Sequence, residues 1–248
     1  MQTLNLNGLH LYQFPGLARL PGLRHAVSTR DGAGAAMGGL DLGNSGPERP
    51  ADAAANLERL RLALGLERLV YNRQVHGTDI LAVNGAEPGP PAAADGLATD
   101  RPGLGLLIRQ ADCQALILAA PRRGVIANLH VGWRGNAAGL PGKGVAFLQE
   151  RYDAAPSELY AAISPGLGAC CGQFVNWRRE LPEWFAQFRV GEDRFDLEAA
   201  TRAQLMAAGV RPERIEASGL CTVCRPEFYS HRREGGTGRF GTVVALVN

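Results

Sequence analysis

The chain has 248 residues, enough for one large domain or two small ones with a substantial buried core. Its 46% hydrophobic and 20% charged residues are typical of a globular protein. A net charge of +2 gives no dense basic surface of the kind that phosphate backbones require, so we expect no nucleic-acid partner.

The cysteine count and the N-terminal sequence indicate a cytoplasmic protein. Five cysteines is an odd number, and their spacing matches no regular disulfide framework. Residues 1–6 lack the basic start and apolar stretch of a secretory signal. No window approaches the roughly 18 apolar residues of a membrane span. We therefore expect free thiols, a reducing cytoplasm and no membrane partner.

Hydrophobic periodicity predicts many short strands and a few helices. Residues 1–22 are expected to be an extended lead-in, and 32–46 and 84–94 to be loops. Strands are predicted over 25–30, 69–71, 80–83, 104–108, 115–119, 125–129, 159–163 and 241–247. Helices are predicted over 50–66, 143–152, 177–185 and 197–208. The helical pattern of the second begins near residue 136, but Pro141 should interrupt it. Short links between strands favour antiparallel or mixed pairing.

No internal repeat or linker divides the chain, which predicts one domain over residues 1–248. The glycine-rich loop after Arg30 is not a dinucleotide fingerprint, because Met37 occupies the third glycine position. It has two interpretations. One is a plain surface loop, and the other is a loop that covers a ligand and delivers Arg30 to an anion.

Three residues suggest a metal site. His76, Cys113 and His130 each lie at a predicted strand end or turn, and a thiolate with two imidazoles suits zinc, and copper less well. The spacing matches no compact zinc motif, so an ordinary buried thiol with two ordinary histidines remains open. A cysteine hydrolase is a further alternative, with Cys113 as nucleophile, a histidine as base and Asp112 as orienter.

Four other cysteines occur as Cys170-Cys171 and Cys221-x-x-Cys224. They suggest the two halves of a structural zinc site, a redox pair, or plain unpaired thiols, which we favour. Arginines give a further hint. Arg30, Arg134 and Arg239 each lie in a turn beside Gly or Thr, where a guanidinium can bind phosphate or carboxylate.

An ordered set of motifs resembles one known family. The motifs are Gln74-Val75-His76-Gly77, Ala94-Asp95-Gly96, Ala111-Asp112-Cys113, His130-Val131-Gly132-Trp133-Arg134-Gly135, and Cys221-Thr222 with Ser230-His231-Arg232-Arg233. Together they are similar to the YfiH/laccase-domain family, whose members are also called multicopper polyphenol oxidase homologues or YfiH-type purine nucleoside phosphorylases. The likeness runs from Ser28 to Arg239.

The resemblance implies an α+β fold, a single-domain layered αββα sandwich with mixed β-sheets. It implies Zn²⁺ (alternatively Cu²⁺) on His76, Cys113 and His130. It further implies phosphorolysis of adenosine, inosine, guanosine and methylthioadenosine, with adenosine deaminase activity. The alternatives are a copper-dependent polyphenol oxidase and a cysteine hydrolase or amidase that edits a peptidoglycan precursor.

On this hypothesis the partners are a purine nucleoside and phosphate, and the protein is a monomer or homodimer. We assign catalytic roles to Cys113, Asp112 and Arg30. We assign substrate binding to Arg30, Arg134 and Arg239, which would neutralise the charge of phosphate.

Overall fold

The computed structural model describes residues 1–31, 39–43, 50–85 and 91–247. Strands β1–β12 are Gln2–Leu6, Leu9–Gln13, Leu23–Ser28, Arg68–Val70, Ile80–Ala82, Gly96–Thr99, Leu104–Gln110, Gln114–Ala120, Val125–Val131, Tyr160–Ile163, Ile215–Ala217 and Phe240–Leu246. Helices α1–α7 are Pro15–Ala18, Pro50–Ala63, Trp133–Ala137, Leu140–Tyr152, Trp177–Glu180, Leu197–Ala207 and His231–Glu234.

The strands form two six-stranded sheets. The first has the order β1-β2-β3-β12-β7-β4, and the second has the order β11-β10-β8-β9-β6-β5. Pairing is antiparallel except for β4 with β7, β5 with β6, and β10 with β11. The prediction of mixed sheets in an α+β fold is therefore confirmed.

The two sheets pack face to face, with helices outside. Ile117 and Ile126 of the second sheet are buried with Leu106 and Val244 of the first. The side-chain amide of Asn128 crosses between the sheets and donates to the carbonyls of Leu106 and Thr242.

Helices cover both outer faces. Leu60 of α2 packs on the first sheet, whereas Val145 and Leu148 of α4 and Leu205 of α6 pack on the second. These four layers agree with the predicted αββα sandwich. The prediction of one domain over residues 1–248 stays a prediction.

The N-terminal segment differs from the expected lead-in, because residues 2–13 form the hairpin β1–β2. Asn7 and Gly8 make its two-residue turn, with φ of 48° and 78°. Asn-Gly is a strong signal for such a turn, because both positions need the left-handed region. Strands β6 and β11 were also not predicted.

The helix break precedes Pro141 instead of following it. Helix α3 ends at Ala137, Gly139 adopts a left-handed φ of 82°, and α4 begins at Leu140. Pro141 then lies in the first turn, where its missing amide donor costs nothing. The helix predicted over 177–185 is likewise interrupted, at Pro182, and continues as a 3-10 helix over Glu183–Phe188.

Two further observations concern the loops and helices. Most of the predicted ligand-covering loop, at 32–38 and 44–49, lies outside the described residues, as do residues 86–90 of the predicted loop 84–94. Within the described ranges, every helix is too short or too polar to cross a bilayer.

Candidate metal centre

The structure brings His76, Cys113 and His130 together. They come from the loop after β4, the turn between β7 and β8, and the end of β9. One ligand atom from each lies within 4.8 Å of the others, and Cys113 Sγ is 3.9 Å from His76 Nε2. The two imidazoles meet edge to face, with ring centroids 4.9 Å apart. Three such ligands with a free fourth position are the usual donor set of catalytic zinc.

A buried carboxylate holds the His76 loop. His76 has a φ of 61°, an uncommon left-handed conformation for a residue with a side chain. The backbone amides of Val75, His76 and Gly77 all donate to Asp95, at 3.2, 2.9 and 2.6 Å. Three hydrogen bonds to one ionised group offset the backbone strain and fix where the imidazole lies.

The same carboxylate orients His130. Asp95 Oδ1 is 2.8 Å from His130 Nδ1, and Asp95 is fully buried. Burial raises the pKa of Asp95, but hydrogen bonds from His130 and the loop amides outweigh it, and the net pKa is lowered. The ionised carboxylate only accepts, so Nδ1 carries the proton and Nε2 faces Cys113 and His76 as a ligand. Sequence reasoning gave Asp95 no role, although it noted the Ala94-Asp95-Gly96 motif.

The centre favours a thiolate. Burial raises the pKa of the Cys113 thiol, but the neighbouring His130 and His76 reverse this and lower it to about 6. Burial lowers the pKa of His130, and the attraction of Cys113 and Asp95 raises it to about 9. At neutral pH without a metal, this is a thiolate–imidazolium pair, and a thiolate is also the form that binds metal.

Gly132 makes the close approach of the ligands possible. A Cβ at this position would lie 3.0 Å from Cys113 Sγ and 3.0 Å from His76 Cδ2. Any larger residue would therefore require Cys113 or His76 to shift. The His130–Gly135 motif thus combines a candidate ligand with the space that the other two candidates need.

Asp112 holds a loop next to the centre. It has a φ of 82°, and its carboxylate accepts from Thr222 Oγ1 and from the Arg232 amide, each at 2.6 Å. Both carboxylate oxygens are thus engaged, which favours an orienting role over that of a free base.

A cavity of about 940 Å³ opens beside the centre, and all three candidate ligands line it. Its polar lining includes five arginines, namely Arg73, Arg109, Arg134, Arg232 and Arg239. Sequence reasoning named Arg134 and Arg239 of these. Such a volume is typical of a pocket for a small ligand.

Arg109 and Arg239 are the arginines with the most distinctive surroundings. Burial is the main cause that lowers the pKa of Arg109, and Arg239 lowers it further. Arg109 lies over the Tyr71 ring at 4.7 Å, and Arg239 donates to the carbonyls of Thr237 and Gly238. Two neighbouring cations in a partly buried cleft are an environment that favours an anionic ligand.

The other predicted residues differ in position. Arg30 is absent from the described lining, since it forms an ion pair with Glu234 at 2.7 Å and lies over the Tyr229 ring at 4.7 Å. Its predicted catalytic and binding roles stay predictions. Arg134 lies over Trp133 at 4.3 Å, and Trp133 meets Phe174 edge to face. These aromatic rings supply the apolar part of the wall.

Comparison with known proteins identifies the family. The family model described as multi-copper polyphenol oxidoreductase laccase matches residues 24–247. The chain belongs to this laccase family. The resemblance noted in the sequence is thus confirmed.

Named relatives carry a different activity from the family description. Purine nucleoside phosphorylase YlmD of Geobacillus stearothermophilus is 38% identical, over 84% of this chain and 82% of the relative. A purine nucleoside phosphorylase of Deinococcus radiodurans is 36% identical, over 96% and 94%. These names support an enzyme that acts on a small molecule.

Solved structures agree on the fold. The crystal structure of YlmD from Geobacillus stearothermophilus has a TM-score of 0.84 and 32% identity, covering 98% of this chain and 97% of that one. A hypothetical protein YfiH from Bacillus licheniformis also has a TM-score of 0.84, with 26% identity and 96% of each chain covered. The predicted fold class is confirmed.

Proposed function

We propose that this laccase-family protein is a zinc-dependent purine nucleoside phosphorylase. The main support for the proposal is that His76, Cys113 and His130 line the same cavity, of about 940 Å³, as several arginines. The names of the curated relatives support the reaction class. Adenosine, inosine, guanosine and methylthioadenosine are the proposed substrates.

The donor set fits zinc better than copper. One thiolate and two neutral imidazoles, one of them oriented by a carboxylate, are the donors of many catalytic zinc sites. A multicopper enzyme needs more histidines than this chain supplies. The sequence has five histidines, and His25 is buried in the core, where its Nε2 accepts a hydrogen bond from the Phe14 amide. When bound, zinc would supply Lewis-acid polarisation of an oxygen.

The reaction consists of one substitution at the anomeric carbon. A phosphate oxygen forms a bond to C1′ of the ribose while the bond from C1′ to the purine nitrogen breaks. The purine leaves with the electron pair and takes up a proton, and the products are the free base and ribose 1-phosphate. Arg109 and Arg239 hold the phosphate, and Arg134 adds positive charge at the Trp133 side of the cavity.

The aromatic wall would bind the base. Trp133 and Phe174 line the cavity together with Leu167, and such apolar surfaces pack against a flat purine. Asp112 acts through its hydrogen bonds, because it holds Arg232 and Thr222 at the edge of the cavity.

The decisive experiment measures phosphate-dependent release of adenine from adenosine. We expect the purified protein to release adenine and form ribose 1-phosphate, and to release none without phosphate. His76→Ala should lose this activity by at least a hundredfold. His10→Ala is the matched control, because His10 is an exposed histidine in β2. Equal activity in both variants would contradict a metal-centred mechanism.

Metal exchange tests the cofactor separately. Dialysis against a chelator should abolish adenine release, and added Zn²⁺ should restore it. Restoration by Cu²⁺ alone, accompanied by oxidation of a phenol such as syringaldazine, would favour the polyphenol oxidase instead. The bound metal of protein purified without added metal gives an independent answer.

Two other reactions at the same centre remain candidates. In adenosine deamination, water forms a bond to C6 of the purine and ammonia leaves, so this reaction would produce inosine and ammonia from adenosine in phosphate-free buffer. Hydrolysis with Cys113 as the nucleophile is favoured by one observation. The pKa of the Cys113 thiol, beside His130, is lowered to about 6. A hydrolase or amidase would form a covalent adduct on Cys113 that mass spectrometry detects, and a phosphorylase would not.

A further inference from the structure

The other four cysteines form a second cluster. Cys170 and Cys171 lie in the loop after β10, and Cys221 and Cys224 lie in the segment after β11. Their four sulfur atoms all lie within 4.8 Å of one another, although Cys221 is 50 positions after Cys171 in the sequence (221 − 171). Cys224 Sγ is 3.6 Å from the sulfur of Cys170 and 3.6 Å from that of Cys171.

The sulfur spacing matches a four-coordinate metal. Zinc binds thiolates at about 2.3 Å, so the sulfurs of a tetrahedral site lie roughly 3.8 Å from one another. A disulfide requires sulfurs about 2.05 Å apart, and all four thiols are free here.

The backbone around the cluster is shaped to hold it. Gly168 allows Cys221 to approach, since a Cβ on Gly168 would lie 2.8 Å from Cys221 Cβ.

Backbone hydrogen bonds also join the two loops that carry the cysteines. The Thr222 amide donates to the Gly166 carbonyl at 2.9 Å, and the Gly166 amide donates to the Leu220 carbonyl at 3.2 Å. The Cys171 amide donates to the Gly168 carbonyl at 2.9 Å, so the Cys-Cys step belongs to a tight turn. Backbone hydrogen bonds therefore hold together the two loops from which the sulfurs converge.

We propose that Cys170, Cys171, Cys221 and Cys224 bind a structural zinc ion, separate from the His76–Cys113–His130 centre. All four coordination positions are filled by protein, which is the mark of a structural site and leaves none for water or substrate. A C-x-x-C half and an adjacent Cys-Cys half supply the ligands. Free, unpaired thiols are what the sequence favoured, and the structure points instead to one ligand set.

The ion would fasten one wall of the cavity. Gln173 and Phe174 lie two and three residues after Cys171 and line the cavity. Thr222 lies next to Cys221 and donates to Asp112, and Arg232 donates to the Gln173 carbonyl at 3.0 Å. Loss of the ion should therefore raise the KM for nucleoside more than it lowers kcat.

Counting zinc in three proteins tests the proposal. Each is purified under reducing conditions without added metal, and zinc is measured per chain by inductively coupled plasma mass spectrometry. We expect two zinc ions in the wild-type chain, one in Cys224→Ser and one in the double variant His76→Ala, Cys113→Ala. Retention of the wild-type zinc count in Cys224→Ser would overturn the proposal.

The design separates this site from the catalytic one. If the catalytic centre proves metal-free, the wild-type chain should hold one zinc that Cys224→Ser removes and the double variant keeps. If Cys224→Ser fails to fold, Co²⁺ loaded into the double variant decides. A cluster of four thiolates gives Co²⁺ an intense visible spectrum and a thiolate charge-transfer band. Absence of that spectrum, iron in place of zinc, or a native mass showing two disulfides would each contradict a zinc site.

Discussion

The Asp95 carboxylate lies 2.8 Å from Nδ1 of His130 and also accepts the backbone amide of His76 at 2.9 Å. One buried anion thus fixes the orientation of one candidate ligand and the backbone of another. Its own burial is offset by these donors, which keep it ionised. Asp95, which directly precedes β6, therefore organises the candidate metal centre.

Replacing this carboxylate should weaken metal binding. In Asp95→Asn the shape is kept, but the negative charge that raises the basicity of His130 is lost. We expect zinc affinity to fall by about 10–100-fold, the usual effect of losing such a partner. Competition with a coloured chelator measures it. Asp100→Asn is the control, since Asp100 is exposed and pairs only loosely with Arg101 at 3.5 Å. Equal zinc affinity in the two variants would contradict this role of Asp95.

Space at Gly132 should be as important as the ligands themselves. Gly132→Ala would place a methyl group 3.0 Å from Cys113 Sγ, so we expect reduced zinc content and adenine release. Gly142→Ala is the matched control, because its Cβ meets nothing within 4 Å and it lies in α4, where alanine stabilises a helix. Zinc content and the midpoint of thermal unfolding are measured for both. Full zinc content in Gly132→Ala would show that the ligands can move apart.

The sequence predicted the long elements well, for a physical reason. Buried strands such as β8 and β9 are largely apolar, and α2 has apolar residues at helical spacing. Strands β6 and β11 were missed because Gly-Leu-Ala-Thr and Ile-Glu-Ala contain few β-branched or large apolar residues, whereas the equally short β4 and β5 were predicted. Asn7-Gly8 is itself a sequence signal for a two-residue hairpin turn, because both positions adopt a positive φ.

The candidate site was predictable only in part. Histidine and cysteine are typical metal ligands, so His76, Cys113 and His130 can be recognised as candidates from the sequence alone. Asp95 and Arg109 are not distinctive, because a carboxylate or guanidinium acquires its role from burial and from neighbours distant in sequence. The same holds for Arg30, whose turn position suggested an anion site although its guanidinium pairs with Glu234.

Phosphate binding should depend on the two neighbouring arginines of the cavity. In Arg239→Lys the planar guanidinium is lost while the positive charge is kept, so charge-assisted hydrogen bonds worth about 1.5–3 kcal/mol are weakened. We expect the KM for phosphate to rise about tenfold or more, with a smaller change in the KM for adenosine. Arg101→Lys is the exposed control. A change confined to the KM for adenosine would contradict phosphate binding by Arg239 and assign it to nucleoside binding instead.

Acid should destabilise the protein through His25, which is buried and neutral. Burial is the main cause that lowers the pKa of His25 from 6.5 to about 4. Between these values the unfolded chain binds a proton that the folded chain does not, so stability falls as the pH falls from 6.5 to 4. The loss should reach about 3 kcal/mol. Urea unfolding at pH 7 and pH 4.5 measures it, and His25→Gln should lose less stability over this range than the wild type.

Cys113 should react as a thiolate in the metal-free protein. Its pKa of about 6 lies below the ordinary 9.0 because His130 and His76 attract the negative charge more strongly than burial opposes it. The thiolate is therefore present above about pH 6 and is protonated below it. Alkylation of Cys113 by iodoacetamide, followed peptide by peptide with mass spectrometry, should have its midpoint near pH 6. His130→Asn removes the larger attraction and should move that midpoint upward, towards the ordinary value. Bound zinc should suppress the reaction in the wild type, and a midpoint near pH 9 in the metal-free wild type would contradict the thiolate–imidazolium pair.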